Sequence, residues 1–156
     1  MKATYIAAAL AAAFSMSTFA GECPADKRVA DGQGQKNPGY GPKAVTDVVI
    51  TSTDLGNEKL GLKEHQFRAR RLVIQPGGIV PWHSHNERPA MIYIVTGEIV
   101  EYASNCAVPI VHRAGDVARE SKGTSHWWQN KTRTPAKLIS VDIFPSADKK
   151  HDEKMM

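Results

Sequence analysis

From Val45 to Phe144 the chain never runs far without a turn. Short stretches rich in Val, Ile, Thr and Tyr alternate with Pro76-Gly77-Gly78, Thr96-Gly97-Glu98, Arg113-Ala114-Gly115-Asp116 and Lys122-Gly123-Thr124. Each break supplies a residue that fixes a turn or tolerates positive φ. A helix of ordinary length needs about ten or more residues of 3.6-residue periodicity, and this punctuation does not leave them. What remains are strand-like runs: Val45 to Thr51, His65 to Ile74, Ile79 to His83, Ala90 to Thr96, Ile99 to Tyr102, Val108 to His112, Val117 to Arg119, Ser125 to Gln129 and Ala136 to Phe144. So many strands in a chain of 156 residues predict one all-β domain, a β-barrel or jelly roll, over residues 44–145.

The flanks read differently. Met1-Lys2, an Ala-rich apolar stretch from Tyr5 to Phe14 and the small-x-small site Thr18-Phe19-Ala20 predict a signal peptide over residues 1–20, cleaved after Ala20. The apolar stretch is shorter than the roughly 20 residues that span a bilayer, so no membrane association is expected after cleavage. The expected location is therefore secreted or periplasmic. Residues 21–43, rich in Gly, Pro, Gln and Asn, predict an extended N-terminal arm, and residues 146–156 a polar C-terminal tail. Two cysteines are too few for a disulfide scaffold and form no CxxC pair, but in an oxidising compartment Cys23 and Cys106 can bridge the arm to the barrel. The net charge of +4 comes from basic residues scattered along the chain, which gives nucleic acid no footprint.

The chemistry lies in the histidines. Residues i and i+2 of a strand share a face, so His83 and His85 in Pro81-Trp82-His83-Ser84-His85 can aim two imidazoles at one point. His126, on a later run bounded by glycine turns, can close a triad from a neighbouring strand. Neutral imidazole suits iron, manganese, nickel, copper and zinc alike. No GxSxG, HExxH, Walker or dinucleotide motif competes.

Gly77, five residues, His83-Ser84-His85, a short gap and Gly97 resemble the first motif of the cupins, and Gly115 through His126 to Asn130 resembles their second. The resemblance extends from about Glu64 to Phe144. It implies a double-stranded β-helix, the jelly-roll cupin barrel, with one divalent transition metal, iron foremost, held by His83, His85 and His126. It also makes a homodimer plausible. The sequence departs from the motif at Ala90, where the family usually has a glutamate ligand. Glu87 could bind instead, or the site could be three histidines with open positions, like the three-histidine iron cupins that oxidise thiols or diketones. A metal-free binding barrel is the third reading.

On this basis the expected function is metal-dependent dioxygenation of a small organic molecule. A metal-dependent isomerase or lyase, or a non-enzymatic periplasmic ligand-binding or sensing module, are the alternatives. Strand parity places Ala90, Ile92, Trp128 and Asn130 on the inner face, with Trp127 outside. Arg71, in phase with Phe67, Ala69 and Val73, is expected on the apolar inner face within reach of an anionic substrate. Arg88, Arg113, Arg119 and Lys122 are expected as loop charges, and His65, His112 and His151 carry no metal role.

Overall fold

The computed structural model describes residues 21–146; the expected signal peptide and nearly all of the expected tail lie outside them. Eight strands follow a single 3-10 turn at Ala25–Lys27: β1 Lys43–Asp54, β2 His65–Ser84, β3 Ala90–Thr96, β4 Glu98–Ala103, β5 Ile110–Arg113, β6 Val117–Glu120, β7 Ser125–Gln129 and β8 Ala136–Pro145. All pairings are antiparallel, in the order β5-β4-β7-β2-β8-β3-β6, with β1 added along β2. This is the nearly closed barrel of the double-stranded β-helix.

β2 carries the closure. The sequence suggests two strands separated by a turn at Pro76-Gly77-Gly78, yet the backbone stays extended through it. Its first half pairs with β8, its second half with β7. Gly77 has φ +71°, and a Cβ on Gly78 would stand 2.7 Å from Ile74 Cγ2 and 2.8 Å from the Gln75 carbonyl oxygen. Glycine is therefore what lets one strand bend from one sheet into the other.

The barrel interior is divided by polarity. One end is apolar, with Leu72, Ile74, Ile92, Ile94, Ile99, Leu138 and Trp128 in one cluster. The other end buries charge: Arg68 donates to Asp142 at 2.9 and 3.1 Å, and Arg70 and Arg88 approach Asp142 Oδ2 at 3.5 and 3.7 Å. Arg70 also pairs with Asp47 of β1 at 2.5 Å. These charges are stable there because each guanidinium meets a carboxylate.

The arm wraps one side of the barrel. Val29, Gly34 and Gln35 donate backbone N–H groups to the carbonyls of Asn105, Ser104 and Ala103, and Cys23 is joined to Cys106 by a disulfide. Closing a loop of 83 residues contributes about 4 to 5 kcal/mol in the chain-entropy model. Among the described residues no helix is long and apolar enough to cross a membrane.

Candidate metal centre

His83 lies on β2 directly opposite His126 of β7, and His85 follows just beyond the end of β2, held by its backbone N–H to the Thr124 carbonyl at 2.9 Å. Antiparallel pairing thus brings together rings that are 43 residues apart. Their Nε2 atoms form a nearly equilateral triangle with sides of 3.1, 3.1 and 3.0 Å.

The second ring nitrogens fix what those Nε2 atoms are. His83 Nδ1 lies 2.8 Å from the Pro81 carbonyl oxygen and His85 Nδ1 2.6 Å from that of Arg88. A carbonyl only accepts, so both Nδ1 atoms carry the proton and both Nε2 atoms present lone pairs. His126 Nδ1 stands 2.8 Å from Glu101 Oε1 and donates to it. In the neutral state three lone pairs therefore converge with no donor between them, an arrangement that a cation satisfies. At a metal–nitrogen distance of about 2.1 Å, neighbouring ligands are ~3.0 Å apart on an octahedron and ~3.4 Å on a tetrahedron. The observed triangle matches an octahedral face with three positions left open.

Behind His126 sits a buried network that the motifs do not include. Glu101 accepts from His126 with one oxygen and from His112 Nε2 with the other at 2.7 Å. His112 in turn stacks on Trp128, centroids 4.7 Å apart and planes within 8°. Glu120 lies 3.4 Å from His126 Nδ1. Nδ1 has a single in-plane position, which the carboxylate takes, so the indole N–H that approaches it at 2.9 Å is not its proton partner in this state. Glu101 and Glu120 place negative charge one ring away from the cation, where three neutral ligands supply none.

Electrostatics follow. Burial pushes the His83 and His85 imidazoles down, His85 to about 3, so both remain free bases. Burial acts on His126 in the same sense, but Glu120 and Glu101 outweigh it and hold the ring at about 10. Burial would likewise raise Glu101, yet hydrogen bonds from His112 and His126 keep it below the usual carboxylate range, whereas burial leaves Glu120 raised. Without metal, His126 is therefore an imidazolium at neutral pH, and its Nε2–H points at the other two nitrogens. Metal has to displace that proton. Titration at neutral pH should release about one proton per ion, and affinity should rise about tenfold per pH unit up to roughly pH 10. Calorimetry in buffers of different ionisation enthalpy checks this; pH-independent affinity contradicts it.

In front of the nitrogens lies a cavity of about 30 Å³, bounded by Asp47, Arg70, Arg88, Ile92, Trp128 and Ser140 among others. That is room for about two water centres, or for a ligand of few atoms. The structure places the other expected site residues as follows. Ile92 and Trp128 line the cavity. Ala90 is buried on the inner face but borders an outer groove instead. Glu87 is exposed and is not grouped with the three histidines as a ligand, because β2 ends at Ser84 and the strand alternation has stopped before it. Asn130 is buried but bonds the Ile74 and Thr134 carbonyls and Thr132, closing a turn away from the site.

Arg71 is on the wrong face: it is exposed, and Arg68, Arg70, Leu72 and Ile74 are the inward residues of β2. Both faces of that strand carry apolar residues, so parity could not be read from hydrophobicity. Arg88, expected as a loop charge, is buried on the cavity wall. Trp127 points out of the barrel as expected, yet is 7% exposed because Tyr102 and Tyr40 cover it. Glu101, Glu120 and His112 were legible only as polar residues at inward parity inside apolar strands.

A histidine-lined antiparallel barrel that accepts a divalent transition metal is the class these features define. A family model described as a cupin domain matches residues 70–142. An oxalate-binding protein of Thermotoga maritima is 34% identical over 74 residues, 47% of this chain and 60% of that one, so the chain spans three-fifths of the relative's length. A crystal structure titled a predicted oxalate decarboxylase from Thermotoga maritima superposes with a TM-score of 0.53 at 22% identity, covering 70% of this chain and 97% of that one. A double-stranded β-helix protein of Klebsiella pneumoniae gives 0.52 at 19%, covering 73% and 84%. Residues 70–142, just under half of the chain, match the cupin model, and the described residues fold as a cupin-type barrel.

Proposed function

We propose that the site holds a small carboxylate anion against a divalent metal and promotes its non-oxidative cleavage, a lyase reaction of the decarboxylase kind. The observation that carries this is the placing of Arg70 and Arg88 on the wall of the same small cavity as the three histidines. A metal held by the three histidines would leave room for two oxygens of an anion, and a guanidinium fork fits a second carboxylate at its far end. The name of the oxalate-binding relative points to the same ligand chemistry.

An octahedral face suits iron or manganese better than tetrahedral zinc. When bound, the metal supplies Lewis-acid polarisation of the anion's oxygens. The chain does the rest: Arg88 orients the far carboxylate, Ile92, Leu138 and Trp128 keep bulk water out, and Glu101 holds the His126 proton at Nδ1. Dioxygenation, the reaction first expected, calls for an enolate, thiolate or phenolate; a cavity of about 30 Å³ walled by arginine favours a smaller, harder anion. One observation favours a second reading. Asp47, the carboxylate on the cavity wall, is engaged by Arg70, which leaves cleavage without an evident proton donor. The barrel would then hold the anion without turnover. The Cys23–Cys106 bridge and the expected leader support a secreted or periplasmic location.

Calorimetry with oxalate separates these readings. Metal-loaded protein should bind it and metal-free protein should not, and Arg88→Gln should weaken binding about 10- to 100-fold with metal stoichiometry unchanged. Carbon dioxide release without oxygen uptake selects the lyase, binding without turnover under any metal selects the holding role, and turnover coupled to oxygen uptake overturns both.

A further inference from the structure

One buried ring nitrogen behind the metal site has no partner among the described residues. His112 is fully buried, its Nε2 donates to Glu101 and its ring stacks on Trp128, yet its Nδ1 meets neither a hydrogen-bond partner nor solvent. With the proton on Nε2, Nδ1 is an acceptor that lacks a donor. A buried acceptor left in that state destabilises the fold.

What lies against it is Gly21. This residue is buried, with φ +101°, and a Cβ built on it would stand 3.3 Å from His112 Nδ1, 3.3 Å from Asp116 Cγ and 3.1 Å from Asp116 Cβ. That point is open because residue 21 is glycine. Gly21 is also the residue that cleavage after Ala20 leaves first in the chain.

We propose that the cleaved chain turns its Gly21 α-ammonium into this cradle, where it donates to His112 Nδ1 and pairs with the Asp116 carboxylate. The proposal rests on the cleavage expected after Ala20 and is independent of the substrate. Glycine Cα carries two hydrogens, so rotation about its bond to the carbonyl carbon brings a terminal nitrogen, on a bond of about 1.46 Å, to the point a Cβ would take. In the uncut chain the peptide bond to Ala20 prevents this. An ammonium suits the place: it brings three donors and a positive charge to an acceptor without a partner, on the wall of a polar cavity that also carries Glu101 and Glu120. Docking orders little that is not already fixed, because Cys23 is bonded to Cys106 and Arg28 holds both Glu22 and the Cys23 carbonyl.

The result is a fastening that processing completes. The line from the ammonium through His112 and Glu101 ends on His126, a ligand of the triad. Both fasteners of the arm, the docked terminus and the disulfide, then arise once the leader is removed in an oxidising compartment.

The intact mass of the chain recovered after export reads the premise. Loss of residues 1–20 supports it, and a cut elsewhere, or none, overturns the proposal there. Docking is read separately, on chains that begin at Gly21 and on chains with one extra alanine before it. The Gly21 α-amine should transaminate with pyridoxal phosphate about tenfold or more slowly than that of a free peptide of the same first residues, and the extra alanine should lower the melting temperature by about 5 to 10 °C. In Asp116→Asn and, separately, in His112→Phe, which keeps a ring on Trp128, the same alanine should cause a smaller drop, since the cradle is already broken. If His112→Phe does not fold, the amine rate and Asp116→Asn decide. An amine as reactive as the peptide's, or an alanine effect equal in wild type and variants, overturns the docking.

Discussion

Replacing His126 by alanine is expected to abolish stoichiometric metal binding, lowering affinity by about three orders of magnitude or more. Of the three ligands, His126 has the furthest-reaching connections. It faces His83 across the β2–β7 pairing, its Nε2 forms two sides of the nitrogen triangle, and its Nδ1 links the cation to Glu101 and Glu120. Alanine removes one of three donors and strands two carboxylates beside a cavity. An octahedral face reduced to two neutral nitrogens holds a divalent ion only weakly. Equilibrium dialysis against a competing chelator reads the loss. His126→Ala protein that still binds one equivalent tightly would place the metal elsewhere.

The second large effect concerns the fold. Asp142→Asn is expected to destabilise the protein by about 3 to 5 kcal/mol, because three buried guanidiniums lose the carboxylate that all of them approach. Asp142 is 1% exposed and joins β8 to β2 through a two-bond pairing with Arg68. Asparagine fills the same space, so the loss reports charge rather than packing. Urea denaturation should show a lower midpoint with an unchanged slope. A change under about 1 kcal/mol would mean that Asp47 and the remaining interactions of Arg68 and Arg88 already balance the cluster.

Which parts of this were legible beforehand follows from the physics of strands. Turn chemistry is local, so the breaks at Gly97, Gly115 and Gly123 are visible in the sequence, and with them the all-β barrel. The His83–His85 pair is equally local, and His126 stands out through its motif. Pro76-Gly77-Gly78 misleads because a glycine pair serves a bend within a strand as well as a turn between two.

Parity is the other weak point. β2 carries apolar residues on both faces, since its outer side is apolar and its inner side partly ionic, so hydrophobicity alone does not reveal that Arg71 faces solvent while Arg70 faces the cavity. The buried carboxylates Glu101 and Glu120 are legible only once register is known. Their role depends on His126 and His112 across strand pairings that no local spacing encodes. Glu87 shows the converse: proximity in sequence to two ligands does not bring it into the site once the chain leaves the strand.

X-ray absorption at the metal edge tests the central claim most directly. For protein loaded with one equivalent of iron or manganese, the account predicts one ion per chain with three imidazole nitrogens at about 2.1 Å and oxygen in the remaining positions. A shell with fewer than three imidazoles, or less than one ion bound per chain at neutral pH, would contradict it.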